Sequence, residues 1–260
     1  MTALISVRDL WKRYAGQSVL ERINLEVESG AFCTIVGASG CGKSTFLRLL
    51  LSQERPSRGK ILFDGEPLPE DPGPDRGVVF QRYSVFPHLT VRDNVALSLE
   101  FRAAPLLARL FGAARRRALE EADFTLESVG LLQAAGKYPA ELSGGMQQRL
   151  AIAQALALKP KVLLLDEPFG ALDPATRAQM HELVTRLWRD TGMTVFMVTH
   201  DMKEVFALGT RLLVLDKVRD DPHEPAAYGA TITYDLPLDD TSAIPVQFLR
   251  NGNGAQALPA

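Results

Sequence analysis

The residues best equipped for chemistry lie in two short stretches. In "VLLLDEPFGALDP" (162–174) an apolar run breaks directly into Asp166 and Glu167. Adjacent carboxylates at the end of a strand need something to face. In "GASGCGKST" (37–45) the pattern G-x-x-x-x-G-K-[ST] is met, with Gly37, Gly42, Lys43 and Ser44 in register. This stretch follows the buried-looking run "AFCTIV" (31–36) and opens the helical "STFLRLLL". That strand, loop and helix context is what a phosphate-binding loop requires. Its glycines let backbone N–H groups converge on an anion at a helix N-terminus. The cradle is Gly37, Ala38, Ser39, Gly40, Cys41, Gly42, Lys43, Ser44 and Thr45. Lys43 would reach the β- and γ-phosphates, and the Ser44 hydroxyl would ligate Mg²⁺. The pattern is that of a nucleoside-triphosphate site.

The elements that must position these residues can be read from patterning. Ile23, Leu25 and Val27 alternate with polar residues, as in a sheet wet on one side. "AFCTIV", "VLLLD", "VFMVT" (195–199) and "LLVLD" (212–216) are apolar without alternation, as strands of a parallel sheet covered on both faces are. Ligands of such sheets lie beyond the strands' carboxyl ends. Asp166 is therefore expected to hold the Mg²⁺ that Ser44 also touches. Glu167, pointing another way, would address the water attacking the γ-phosphate.

A third stretch, "ELSGGMQQRLAIAQALAL" (141–158), places Ser143, Gly144 and Gly145 before a helix with an apolar stripe at Met146, Leu150, Ala153 and Ala157. Ser143 is expected to cap that helix. Two glycines behind it make a second anion-binding device, with little room for it on a nucleotide already wrapped by residues 37–45. If both bind phosphate, the second acts on a nucleotide held by another copy of the chain.

Together the cradle, "LSGGMQQR" and "LLLDEP", in this order and spacing, resemble the ATP-binding subunits of ABC transporters over roughly residues 4–216. The resemblance implies ATP and Mg²⁺ as ligands, and a homodimer closing head to tail over two ATP molecules, with Ser143, Gly144 and Gly145 touching the partner's γ-phosphate. It makes Tyr14 in "WKRYAGQSVL" the aromatic on which adenine stacks. Gln81, ending "GVVFQ", becomes the glutamine that senses Mg²⁺ and the attacking water. Asp173 in "ALDP" becomes the aspartate crossing between subunits, as well as an ideal helix N-cap before Pro174. His200, after "VFMVT", becomes the γ-phosphate ligand. Glu167, His200, Gln81 and Lys43 would thus carry catalysis. His88, His181 and His223 match nothing and read as surface or packing residues. Within the family the chain resembles the importer subunits for nitrate, sulfonate and taurine. The stretch "ERPSRGKILFDGEPLPEDPGPDRGVVFQRYSVFPHLTV" (54–91) and the tail "AYGATITYDLPL" look closer still to the ATPases of urea-carboxylase-associated transporters, which implies a urea- or guanidine-like solute.

The expected fold is α/β: a P-loop NTPase of the ABC ATPase type, with an N-terminal antiparallel β-subdomain and an inserted helical subdomain. The ATPase domain is read as 1–216 with the helical insertion at about 90–158, and 217–260 as a short extension holding a terminal strand. Pro105 is a plausible helix start. Arg115, Arg116 and Arg117 are expected to form a solvated face paired with Glu120 and Glu121. Phe86 and Pro87 could present an apolar knob to a permease, or Phe86 could be ordinary core.

The chain's 260 residues are 46% hydrophobic and 23% charged, with a net charge of −2. That balance gives no support for nucleic-acid binding. Cys33 and Cys41 suit a reducing cytosol. No run approaches the ~20 apolar residues a membrane span needs. The expectation is a cytoplasmic protein, peripheral on the inner membrane's cytoplasmic face through separate permease subunits, and served indirectly by a periplasmic solute-binding protein. The alternatives are an ABC exporter's ATPase, or a soluble ABC ATPase acting on nucleic acid.

Overall fold

The computed structural model describes residues 3–80, 85–103, 110–219, 223 and 227–238. Gln81 and Pro105 lie outside them. In chain order the strands and helices are β1 (Ile5–Tyr14), β2 (Gln17–Val27), β3 (Phe32–Val36), α1 (Lys43–Leu50), β4 (Arg58–Phe63), β5 (Glu66–Pro67), β6 (Arg76–Val79), α2 (Val91–Ala103), α3 (Gly112–Ser128), α4 (Gly144–Leu156), β7 (Val162–Asp166), α5 (Pro174–Thr191), β8 (Thr194–Val198), α6 (Met202–Leu208), β9 (Arg211–Asp216) and β10 (Thr231–Pro237). They fall into two compact units: residues 1–73 with 192–260, and residues 74–191.

The first unit contains an antiparallel sheet in the order β2-β1-β4-β5. Its register places Ile5 opposite Val27 and Phe63, and Val7 opposite Leu25 and Ile61, so the apolar residues of three strands share one face. Ile23, Leu25 and Val27 are buried while Arg22, Asn24 and Glu26 are exposed, as the alternation predicts. The same unit carries β3 between β8 and β9, parallel to both. All five residues of β3 and all five of β8 are buried, which explains why neither strand alternates. The terminal stretch "TITYDLP" forms β10, antiparallel to β9.

In the second unit β6 runs parallel to β7, with Val79 beside Leu165. Helices α2, α3 and α4 pack on one another through Val95, Leu99, Ala118, Ala122, Leu126 and Leu150. In the arginine run of α3, Arg116 and Arg117 are exposed, as a solvated face requires, and Arg115 departs from expectation. Arg115 reaches two acids of α2, Asp93 at 2.8 Å and the buried Glu100, while Glu121 pairs with Lys159 at 3.2 Å and Arg102 at 3.8 Å. The acids are matched between elements because a buried carboxylate such as Glu100 needs a cation wherever one can be brought.

Candidate nucleotide site

The first unit builds the loop of residues 37–45 at the carboxyl end of β3. Gly37 has φ +157°, and a Cβ there would fall on the Leu215 carbonyl oxygen and 2.9 Å from Cys41 Sγ. Only glycine lets the chain turn away from β9 this tightly. Cys41 N–H donates to Ala38 O at 3.3 Å to close the curl, and Gly42, at φ +100°, is the N-cap of α1. The Lys43 side chain is buried and folds over its own loop, its Nζ donating to Gly37 O and Ala38 O at 2.8 Å each. A fixed ammonium beside backbone N–H groups at a helix N-terminus favours an anion, and a phosphate oxygen is a stronger acceptor for Nζ than a carbonyl. Ser44 and Thr45, in the first turn of α1, are half-buried. Cys41 Sγ lies 4.0 Å from Nζ; burial, more than the opposing pull of Lys43, raises its thiol above the usual range.

Tyr14 ends β1 and is 40% exposed, an aromatic face with its hydroxyl tied down. The hydroxyl donates to Glu54, whose carboxylate also takes Lys12 Nζ at 3.0 Å and Arg48 Nη1 at 3.6 Å. Lys12 Nζ lies 4.7 Å from the ring centroid. Burial is the largest influence on Glu54 and opposes ionisation. The bonds from Tyr14 and Lys12 outweigh it and hold the carboxyl below its usual range. The same surroundings, burial first and the Glu54 bond second, raise the Tyr14 phenol. Thr45, close by, pulls the phenol the other way, so the ring stands beside the first turn of α1. Glu54 is forty residues from Tyr14 and no sequence pattern pointed to it.

His200 is exposed just past β8, on a turn fixed from beneath. Thr199 Oγ1 donates to the buried Glu204 at 2.5 Å and accepts from Asp201 N–H at 3.1 Å, and Asp201 caps α6 through Lys203 N–H. Glu204, like Glu54, was not singled out from the sequence.

The second unit holds the remaining residues. Asp166 ends β7 and is half-buried. Glu167 has φ +47°, a left-handed conformation uncommon for a side-chain-bearing residue and concentrated at functional turns. Ser143 caps α4, its Oγ accepting from Met146 N–H at 3.3 Å. Asp173 caps α5, its Oδ1 accepting from Ala175 and Thr176 N–H at 3.1 Å each. The Thr176 hydroxyl, then the helix amides, hold the Asp173 carboxyl below its usual range. A Cβ on Gly145 would run into Thr176 Cγ2, so the starts of α4 and α5 adjoin and gather Ser143, Gly144, Gly145 and Asp173. Gly144 has no atom near its missing Cβ. Of the unassigned histidines, His181 packs edge-on against Phe169, with centroids 5.0 Å apart. Phe86 is 42% exposed and is not core.

The loop residues of the first unit fit a triphosphate. The buried ammonium and the loop that tolerates no Cβ at its first glycine suit phosphate oxygens. Among the described residues no three His, Cys, Asp or Glu side chains cluster as a metal site. Mg²⁺ at nucleotides uses few protein ligands beside phosphates and water, so a single hydroxyl such as that of Ser44, in the first turn of α1, suits it.

The family profile described as ABC transporter matches residues 20–170. The nitrate import ATP-binding protein NrtD of Synechocystis sp. (strain PCC 6803) is 41% identical over 240 residues, covering 91% of this chain and 84% of that protein. The nitrate import ATP-binding protein NrtC of Synechococcus elongatus is 47% identical over 196 residues, covering 75% of this chain, although the chain spans only 28% of NrtC. The ATP-binding cassette MJ0796, solved as a dimer in a post-hydrolysis state bound to ADP and Pi, superposes with a TM-score of 0.73 at 29% identity, covering 90% of this chain and 98% of that one. A loop built around Lys43, set in this fold and among these relatives, leaves one conclusion: the chain belongs to the ABC transporter family, as one of its ATP-binding and ATP-hydrolysing members.

Proposed function

We propose that this chain powers an importer for a small nitrogen- or sulfur-containing solute, of the nitrate, sulfonate, urea or guanidine kind, by binding and hydrolysing ATP as a homodimer docked on permease subunits. The observation that carries the reading is the likeness to nitrate import ATP-binding protein NrtD across 91% of the chain. No helix among the described residues is long and apolar enough to cross a membrane, so translocation falls to other subunits. Attachment to them would hold the chain on the cytoplasmic face of the inner membrane. A periplasmic binding protein would deliver the solute.

In this reading Lys43 and the loop amides grip the β- and γ-phosphates. Tyr14 stacks on adenine, its ring fixed by Glu54. Ser44 and Asp166 would hold Mg²⁺, joined by Gln81. Bound there, the metal would neutralise charge on the phosphate oxygens. Glu167 accepts the proton of the attacking water or orients it, and His200 donates to the γ-phosphate. Ser143, Gly144 and Gly145 serve the nucleotide of the other copy, and Asp173 reaches across to it. Tyr14, the cradle and His200 then come from one copy, and the α4 start from its partner.

Purification of the tagged chain from detergent-solubilised membranes tests the reading. A multi-span permease should accompany it, and proteoliposomes of the pair should take up nitrate, taurine or guanidine only with ATP inside the compartment holding this chain. A chain recovered from membranes alone, or hydrolysis unlinked to any of these solutes, would count against import.

A further inference from the structure

The segment after β9 has no part in the nucleotide chemistry above, yet it is joined to the strand behind the phosphate loop. We propose that this segment positions the nucleotide site: Arg219, acting through Glu21, fixes the part of β2 on which the phosphate loop rests. The inference rests on reading residues 37–45 as a phosphate loop.

Glu21 is an acid in the middle of β2 with only 5% of its surface exposed. A carboxylate so placed requires charged or hydrogen-bonding partners. Both its oxygens are taken by the C-terminal segment. Oε1 accepts from Arg219 Nη2 at 2.5 Å and from Nε at 3.2 Å, while Oε2 accepts from Gly229 N–H at 3.2 Å. Arg219 is itself held over the Tyr228 ring, 4.3 Å from its centroid. The backbones are joined as well: Glu21 N–H donates to Ala230 O and Ala230 N–H donates to Val19 O, both at 2.9 Å.

The next layer is the loop. Gly229 approaches so closely that a Cβ would lie 2.9 Å from the backbone of Val19 and Leu20. On Gly42 a Cβ would lie 2.9 Å from Val19 Cγ1 and 2.8 Å from Leu20 Cδ2. Val19 and Leu20 are thus in tight contact with the C-terminal segment through their backbone and with Gly42 through their side chains. Gly42 caps α1 immediately before Lys43. Close-packed layers transmit a displacement instead of absorbing it. Freeing Glu21 from Arg219 leaves a buried charge that gains by moving toward water, and β2 moves with it. The amides of Gly42 and Lys43 then lose their alignment on phosphate. Arg219 and Glu21 touch no nucleotide; they are positioning residues.

The test compares the full-length parent chain with Arg219→Ala, Arg219→Lys, Glu21→Gln and Lys43→Ala. Each is titrated with trinitrophenyl-ATP and Mg²⁺ and assayed for ATP hydrolysis. Arg219→Ala, which leaves the Glu21 charge buried and unpaired, should raise Kd and KM for ATP roughly three- to tenfold with kcat within about twofold of the parent, and Glu21→Gln, which removes that charge, should stay closer to the parent than Arg219→Ala does. Arg219→Lys, which keeps the charge and loses the fork, should fall between the parent and Arg219→Ala. Hydrogen exchange should quicken at residues 19–21 and 37–43, and not only in 219–238. Arg219 is 41% exposed, so its variants should fold; were Arg219→Ala to unfold, Arg219→Lys alone would decide. Unchanged affinity in the folded Arg219 variants, with faster exchange confined to the C-terminal segment, overturns the proposal and leaves the loop reading intact. Parent-like binding by Lys43→Ala removes the loop reading and the proposal with it.

Discussion

Gly37→Ala tests the loop geometry most sharply. The new methyl meets the Leu215 carbonyl oxygen, and that oxygen cannot retreat because β9 is paired with β3 on one side and β10 on the other. Overpacking against a fixed backbone costs about 1–3 kcal/mol. The φ of +157°, in a region that residues with a Cβ rarely enter, adds about 1–2 kcal/mol of backbone strain. A total of about 2–5 kcal/mol lowers the melting temperature by roughly 5–15 °C in a chain of this size. The loop has a cheaper escape: Ala38, Ser39 and Gly40 are exposed, so it can lift away from β9 and lose its cradle. Either route shows, as a lowered melting temperature by calorimetry or as at least a tenfold loss of trinitrophenyl-ATP affinity. Gly40→Ala is the control. Its φ is +77° with no atom within 4 Å of the added methyl, so it should lose only about 1–2 kcal/mol. If Gly37→Ala matched Gly40→Ala in both stability and affinity, steric exclusion at the first glycine would not be what shapes this loop.

Burial raises the Cys41 thiol despite Lys43, so maleimide labelling of Cys41 should keep accelerating above pH 9, where a free cysteine levels off near its pKa of about 8.5, and Mg·ATP should protect it; a plateau at pH 8.5 without protection would place the thiol in solvent. Cys33, buried and pushed up to about 12, should label only after unfolding, so mass spectrometry of the native chain should count one modified cysteine. Arg115→Ala should destabilise the chain by about 2–3 kcal/mol in urea unfolding, because Glu100 is left buried without its cation; a loss under about 0.5 kcal/mol would show that Glu100 reaches water.

How much of this was legible in the sequence depended on the range of the interaction. The strand, glycine loop and helix around Lys43 were readable because they are consecutive, and each has a local physical reason for its place. The caps at Ser143 and Asp173 were readable for the same reason: the accepting oxygen and the donating amides lie within three residues. β3 and β8 announced themselves by lacking alternation, although nothing local says that β3 lies between β8 and β9. Long-range partners left no trace. Arg115 was expected to pair with Glu120 or Glu121 in its own helix and instead bonds acids 15 and 22 residues earlier. Glu54 beneath Tyr14 and Arg219 against Glu21 lie 40 and 198 residues from their partners. Glu167 looked like one of two ordinary adjacent acids; its left-handed backbone, the feature that sets it apart from Asp166, belongs to the turn and not to the residue type.

The account depends on ATP joining two copies of the chain, with Ser143 of one completing the site of the other. Glu167→Gln, which should bind ATP without turning it over, allows a direct measurement by sedimentation velocity with Mg·ATP. It should run as a dimer with ATP and as a monomer with ADP, and adding Ser143→Arg should return the ATP-bound protein to monomer while nucleotide binding persists. ATP-saturated Glu167→Gln sedimenting as a monomer would contradict the shared site.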